Sequence, residues 1–487
     1  MLSREDALAI YRAGPETVVR TLCELSRQVD ILQAEVKRLR QRIQTLEDQR
    51  AKNSRNSSKP PSSDGFHKPS PRSLREKSER KPGGQPGHPG DTLRMTAHPD
   101  RIEAHRVLEC ERCHRALANR PPEEVERRQV YEAPSKPLVV IEHQAERKRC
   151  PCGHLNKAAF PPGVNAPAQY GPGVKARAVY LSQYQLLPYE RTCEALGDLF
   201  GCGMSEGGLG NLIADCSDRL EGTVREIRQH ILRAPVAHFD ETGARVEQRR
   251  QWLHVASTGR ATYYEVHPRR GTEALDHIGL LPQFRGRAIH DFLSAYLKYE
   301  CAHGLCNAHH LRQLIFLHEQ HGQAWAQRMI ACLLQIKRAV DQARETSDRL
   351  PEPVQRDFEA RYQQVLEAGY AENPLPASEA LGARKRGRPK KTPSRNLLER
   401  LDERRKEVLA FLYDFRVPFD NNLAERDLRM MKLQQKVSGL FRSPEGAHAF
   451  CRIRSYLSTA RKNALDGLEA LDRVWAGHPF VPALNTS

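Results

Sequence analysis

Between Val18 and Leu46 apolar residues recur at steps of four and three without a break: Val18, Leu22, Leu25, Val29, Leu32, Val36, Leu39, Ile43 and Leu46. A period of 3.5 residues keeps one apolar stripe on one face of a helix, and few other structures satisfy it. Leu or Val fills the d positions (Val18, Leu25, Leu32, Leu39, Leu46), and Leu22, Val29, Val36 and Ile43 fill the a positions. β-Branched a with Leu at d favours a parallel two-stranded coiled coil. Gly14-Pro15 marks the helix start. Residues 1–50 are therefore expected to form a coiled coil that makes the chain a homo-oligomer, most simply a dimer.

The apolar pattern stops at Ala51. From there to His98 the chain is rich in Asn, Ser, Pro, Gly, Lys and Arg, a composition expected to give a basic, flexible linker over residues 51–98. Two close cysteine pairs follow, Cys110-Glu111-Arg112-Cys113 and Cys150-Pro151-Cys152, separated by a stretch from Leu138 to Glu142 that reads as β. Four thiolates in two pairs suit a tetrahedral structural Zn²⁺, with His114 or His154 able to replace one sulfur. Residues 99–165 are assigned to this zinc-binding domain, although the second pair has one intervening residue where two are usual.

Residues 166–235 are helical in pattern. Tyr189 to Phe200, then Gly201-Cys202-Gly203, then Ser205 to Cys216 read as helix, turn and helix. The second helix is short of Arg and Lys on its early turns, so packing before the next domain suits it better than reading bases.

Ala237-His238-Phe239-Asp240-Glu241-Thr242-Gly243 and Gln251 to Ala256 read as two strands joined by the turn Glu247-Gln248-Arg249-Arg250. A carboxylate on a half-apolar strand is expensive unless something pairs with it. Arg287 to Asp291 is a second apolar segment ending in an Asp, and Glu425 lies on a helix that follows Asp420-Asn421-Asn422. Tyr263 to Val266 supplies a further strand, and Gly271 to His277 a helix start. Asp240, Asp291 and Glu425 together have the make-up of an RNase H-like phosphoryl-transfer core, in which three carboxylates hold divalent Mg²⁺ or Mn²⁺. Asp276 and Asp420 are the alternatives for the second carboxylate, with Asp420 also suited to an N-cap. Lys432 lies two helical turns beyond Glu425 and points the same way. Cys306 with His309 or His310 offers two metal ligands, too few for a zinc site, and is read as shaping the core or a DNA contact.

The formal net charge of +17 favours a polyanionic partner such as double-stranded DNA. Arg384-Lys385-Arg386-Gly387-Arg388-Pro389-Lys390-Lys391 is similar to an AT-hook, with Arg386, Arg388 and Lys390 entering a narrow minor groove. Arg426, Arg429, Lys432 and Lys436 keep the helix after Glu425 basic, suited to phosphates. No apolar run reaches the length of a membrane span and no signal peptide is visible, so the expected location is the cytoplasm, next to the nucleoid. The twelve cysteines are then thiols or metal ligands rather than disulfides.

Several segments carry a resemblance to a known family. They are Asn56-Ser57-Ser58-Lys59-Pro60-Pro61-Ser62-Ser63-Asp64, Lys81-Pro82-Gly83-Gly84-Gln85-Pro86-Gly87-His88, Asp240-Glu241-Thr242-Gly243, Cys306-Asn307-Ala308-His309-His310-Leu311-Arg312 and Asp420-Asn421-Asn422-Leu423-Ala424-Glu425-Arg426. In this order the chain resembles a transposase of the insertion sequence 66 family. The resemblance implies Asp240, Asp291 and Glu425 as a DDE triad, strand cleavage at element ends, 3′-hydroxyl strand transfer, and accessory proteins encoded beside it. The Asp-Gly-Tyr pattern common in the family reads Asp291-Phe292-Leu293 here. The expected fold class is multidomain α+β/α/β: coiled coil, linker, zinc-binding β domain, helical segment, then an RNase H-like catalytic domain over 236–465. A helical insertion at about 316–415 interrupts that domain, Ser455 to Leu468 closes it, and residues 466–487 form a tail. The competing function is a non-catalytic DNA-binding or regulatory protein that uses the zipper, the zinc knuckle and the hook. The three carboxylates separate the two readings, since a pure binder has no need to gather negative charge near DNA.

Overall fold

The computed structural model describes residues 3–57, 59, 64, 95–130, 138–152, 154–374 and 391–483. Ser3 opens α1 (Arg4–Arg12) with a capping box, its hydroxyl accepting the Asp6 N–H while the Asp6 carboxylate accepts the Ser3 N–H at 2.9 Å. Gly14 turns the chain at φ +98°, and Pro15, with its φ already helical, begins α2 (Pro15–Ala51). The heptad stripe lies on the outside of α2, where Leu32 is 63% exposed. A single chain thus leaves the seam uncovered.

The first residues of the expected linker are built rather than loose. Asn53 Oδ1 accepts the Arg55 N–H at 2.9 Å, and buried Asn56 donates to the Ala51 carbonyl at 3.1 Å. The Ser54 N–H donates to Asp64 at 2.9 Å. Side chains that bond their own backbone make such turns without a hydrophobic core, which composition alone does not reveal.

Residues 72–169 with 193–205 form a separate unit. Its described strands are β1 (Arg147–Arg149) and β2 (Leu155–Lys157), an antiparallel pair around Cys150 and Cys152. A single bridge, Glu109 to Ala116, closes a similar loop around Cys110 and Cys113. Residues 138–142, expected as β, carry no strand pairing, and Val139 and Val140 are exposed. Their apolar side chains have no sheet neighbour to bury them.

In order, α3 (Pro172–Val179), a π-turn, α4 (Tyr189–Phe200), α5 (Glu206–Arg219) and α6 (Glu221–Leu232) precede the sheet. Gly201, at φ +65°, ends α4 in the left-handed conformation. The sheet has five strands: β3 (Val236–Val246), β4 (Arg249–Ser257), β5 (Thr262–His267), β6 (Arg287–His290) and β7 (Ala302–Leu305), in the order β5-β4-β3-β6-β7. β3, β4 and β5 form an antiparallel meander, whereas β6 and β7 run parallel to β3. The hairpin turn is Glu247-Gln248 alone, both at positive φ, with Arg249 and Arg250 already in strand. That two-residue form matches the twist of the flanking strands better than a four-residue loop does. Between β5 and β6 lies α7 (Thr272–Ile278). Gly286 enters β6 so close to the α6–β3 connection that a Cβ would stand 2.4 Å from the Ala234 carbonyl.

After β7 come α8 (Asn307–His321), α9 (Ala324–Ala343), α10 (Glu352–Glu372), α11 (Pro393–Glu403) and two single turns, α12 (Arg405–Val408) and α13 (Ala410–Tyr413). Their core is built on Trp325, Tyr362, Leu366, Leu398 and Phe411, all buried. α14 (Asn422–Val437), α15 (Pro444–Lys462) and α16 (Gly467–Trp475) complete the chain. Leu428, Met431 and Phe450 pack with Val255 and Tyr264, while Phe239, Tyr263 and Phe284 pack with Ile227 and Ile231. The closing helix starts at Pro444, capped by Ser443, and ends at Lys462 instead of spanning Ser455 to Leu468. The stretch read as a tail holds α16, with Leu471 and Val474 buried. The protein is mostly helical α/β, and its mixed sheet with flanking helices is consistent with an RNase H-like core.

Candidate active site

Asp240 stands in the middle of β3, opposite Val255 of β4. On its other side β3 and β6 pair in register from Val236 with Arg287 to His238 with Ile289. The same offset carried two residues further, just past the end of β6 at His290, brings Asp291 level with Asp240. Level residues on parallel strands face the same way, so the fold gathers two aspartates at one strand end. Burial, then Glu241, Asp291 and Glu425 nearby, hold the Asp240 carboxyl well above the ordinary carboxylate range, against the pull of the Glu241 N–H. Like charges brought together out of water disfavour ionisation in this way.

Glu425 lies in the first turn of α14, which is fastened to the sheet on both sides of it and again further along, where Gln435 donates to the Gly243 carbonyl at 2.9 Å. Asn421, buried at the head of the helix, donates to the Phe239 carbonyl at 2.8 Å and sits 2.8 Å from His238 Nδ1. Two residues beyond Glu425, Asp427 accepts from Ser257 at 2.6 Å, Thr262 at 3.1 Å and Lys462 at 2.7 Å. Residues on β3, β4, β5 and α15 thereby fix the glutamate's helix over the strand of Asp240.

Around these carboxylates stands a set of polar groups, of which Arg270 and Tyr296 carried no signal in the sequence. Glu241, buried, takes the Arg270 guanidinium at 2.7 Å and the Tyr296 hydroxyl. Arg270 also reaches within 3.9 Å of Asp291. Burial and the Asp291 charge raise the Glu241 carboxyl, opposed by Tyr296 and Arg270. His309 Nδ1 and Arg312 lie 3.8 Å and 3.6 Å from Glu425 Oε1. Burial, and then Arg312, push the His309 imidazole below its ordinary value. Of the two histidines offered with Cys306, His309 is the one that meets it, while His310 turns to Asn307; Glu425 is a third candidate ligand, with all three donor atoms within 4.8 Å of one another. Glu425 lies more than a hundred residues downstream, so no local spacing could reveal it.

The alternative carboxylates are otherwise engaged. Asp276 accepts the Tyr299 hydroxyl at 2.7 Å, and Asp420, one residue before the N-cap Asn421, accepts the Asn422 N–H at 3.1 Å in a local turn. Arg429 and Lys432 are exposed on α14. Burial of its stem and the charge of Arg250 lower Lys432 below its ordinary value. Arg386, Arg388 and Lys390 of the hook, and the motif Lys81 to His88, lie outside the described residues.

In the knuckles, backbone N–H groups point at the sulfurs. Those of Cys113 and Arg112 hold the Cys110 thiol below its ordinary value, and that of His154 does the same for Cys152. Each sulfur lies beside its own partner, Cys113 or Cys150. The two pairs do not meet in one group, since Cys306, His309 and Glu425 are the only such cluster among the described residues.

A mixed sheet with Asp240 on β3, Asp291 just past the end of β6 and Glu425 on a helix fastened across them is consistent with an RNase H-like α/β core. The profile of the Transposase IS66 family matches residues 167–449, more than half the chain, and the chain belongs to this family. A family of unknown function, DUF6444, matches residues 12–94. No curated protein matches the chain. Membership makes it a DDE-type transposase and implies DNA transposition, DNA binding and use of a divalent metal. No helix among the described residues is long and apolar enough to cross a membrane.

Proposed function

We propose that Asp240, Asp291 and Glu425 are the catalytic triad of a transposase that cleaves DNA strands at element ends and joins the freed 3′-hydroxyl to target DNA. The observation that carries this is the crowding of negative charge around Asp240, where Glu241, Asp291 and Glu425 all stand close enough to act on its buried carboxyl. Such crowding is unfavourable unless a cation resolves it. The donors on this side are carboxylate oxygens, which suit a hard ion such as Mg²⁺ or Mn²⁺. When bound, that ion supplies charge that activates the attacking oxygen and stabilises the leaving one. The protein's own part is positioning. Asn421 and Asp427 hold Glu425 in place, Glu241 and Tyr296 hold Arg270 beside Asp291, and Arg426, Arg429 and Lys432 line α14 for phosphates.

The other regions serve binding and assembly. The exposed seam of α2 takes the same helix of a second copy, giving a dimer. Leu32→Lys with Leu39→Lys puts charge into that seam, and light scattering on the variant is expected to show monomer. An unchanged oligomer places the assembly contacts elsewhere. Cys110 with Cys113 and Cys150 with Cys152 stand as two separate pairs in the metal-free fold, and one structural Zn²⁺ would draw the four thiolates together as it binds; Arg386, Arg388 and Lys390 enter the minor groove of A·T-rich DNA. Accessory proteins from the same element and a cytoplasmic, nucleoid-associated location complete the reading.

The decisive experiment maps cleavage on a supercoiled donor plasmid. Asp240→Asn, Asp291→Asn and Glu425→Gln each remove one negative charge at nearly constant size. Cleavage and strand transfer should fall together by several orders of magnitude while binding to end DNA survives. Parental cleavage by Asp291→Asn would remove that residue from the triad.

A further inference from the structure

Cys306 is the N-cap of α8, and its Sγ accepts the Asn421 N–H at 3.2 Å. His309 follows one turn along the same helix, and Glu425 faces both from α14. The His309 Nδ1 and Glu425 Oε1 atoms are each buried without a hydrogen-bond partner, although they stand only 3.8 Å apart. Two buried orphans facing one another are costly, and that separation is too long for a hydrogen bond. It is close to the spacing of two ligands that share one tetrahedral ion, roughly 3.3 Å when each bond is about 2 Å.

We propose that Cys306, His309 and Glu425 form a second metal site, one that takes a borderline transition ion such as Zn²⁺ and shares Glu425 with the hard-cation side of the active centre. A sulfur, an imidazole nitrogen and a carboxylate oxygen select Zn²⁺ or Co²⁺ over Mg²⁺, which wants oxygen alone. Three protein ligands leave a fourth position open, as in zinc sites that exchange a ligand. The N-terminus of α8 and the Asn421 N–H both favour a thiolate at Cys306. Only the thiolate coordinates, so ion binding releases one proton from Cys306. Thiolate and carboxylate then balance the ion's charge, and Arg312, 3.6 Å from the same glutamate oxygen, is the remaining cation beside it. The ion would tie the start of the helical insertion to α14 and occupy Oε1 of Glu425, leaving the second oxygen for the hard ion.

The site does not depend on the transposase reading, because it can be observed without DNA. The test titrates Co²⁺ into the metal-stripped full chain, read by the thiolate-to-cobalt charge-transfer band and by bound equivalents, with excess Mg²⁺ present. The parent is expected to hold one equivalent more than Cys306→Ser, and also one more than His309→Ala. Glu425→Gln, on a partly exposed position, should weaken the same equivalent. Melting of each metal-free variant shows whether it folds, and His309→Ala keeps the test valid if Cys306→Ser does not. If the knuckle cysteines bind nothing, the parent holds one equivalent and the variants none, so that failure is told apart. Equal equivalents and equal bands in the parent and in folded His309→Ala would overturn the proposal.

Discussion

The carboxylate cluster at Asp240 and the knuckles at Cys110 and Cys150 are the two proposed ligand shells, and they are held together in opposite ways. Around Asp240 the fold comes first. Ala237, Phe239, Val255 and Ile289 are buried, and Asn421 and Asp427 tie the glutamate's helix to the strands. The core supplies enough stability to hold carboxylates in mutual repulsion. Around the cysteines the strands are three residues long, Val130, Val139 and Val140 are exposed, and hydrogen bonds shape each loop. A site of the first kind tunes its ion, whereas in the second kind the ion supplies the folding energy.

The largest effect that could break this comparison is loss of metal. Stripping the full chain with a strong chelator is expected to abolish amide protection over residues 106–118 and 146–158, because nothing else there can replace the zinc. Protection over 236–246 should stay near its parental level. Hydrogen exchange by mass spectrometry resolves both stretches in one sample. Protected knuckles without metal would mean that these loops fold on their own.

A smaller effect probes the core from the inside. Asn421→Ala removes the donor to the Phe239 carbonyl and the partner of His238, both buried. Leaving such groups unsatisfied costs about 1–3 kcal/mol. Because Asn421 heads the helix of Glu425, cleavage should fall more steeply than stability does. Denaturant unfolding set against cleavage rate separates the two, and parental values for both would show that Asp427 and Gln435 position α14 without Asn421.

How much of this was legible depends on where the signal is stored. β3 and its Asp240 show in the alternation of the strand, and α2 in its heptads. β7 (Ala302–Leu305) does not show, since Ala-His-Gly-Leu has no β-branched residue and is strand only through its ladder with β6. Asn421 and Glu425 are visible as residues, but their partners His238, Phe239 and Cys306 are more than a hundred positions away. The knuckles show the reverse pattern: the four cysteines are conspicuous in the sequence, and the fold around them is slight. The turn chemistry at Asn53 to Ser57, with Asp64, was hidden by a composition that reads as linker.

The last and smallest effect is a difference of sign. Asp240 has its carboxyl raised in the fold above its unfolded value, and Glu241 shifts the same way. A raised carboxyl contributes stability that is fully present below the ordinary value, about 3.9, and is lost as pH rises through the folded value. Metal-free β3 should therefore become less protected as pH increases upward from about 4. Mg²⁺ should restore protection, and by more at higher pH, since it binds the ionised form. The zinc-loaded knuckles should behave oppositely, because thiolates must lose protons to hold the ion, so their protection rises with pH. Hydrogen exchange over 236–246 and 147–157 across a pH series, corrected for intrinsic exchange, reads both slopes. Asp240→Asn carries no proton to lose, so its β3 slope should flatten while the knuckle slope is unchanged. Slopes of the same sign in both regions, or a parental β3 slope in Asp240→Asn, would show that carboxylate crowding is not what distinguishes the core.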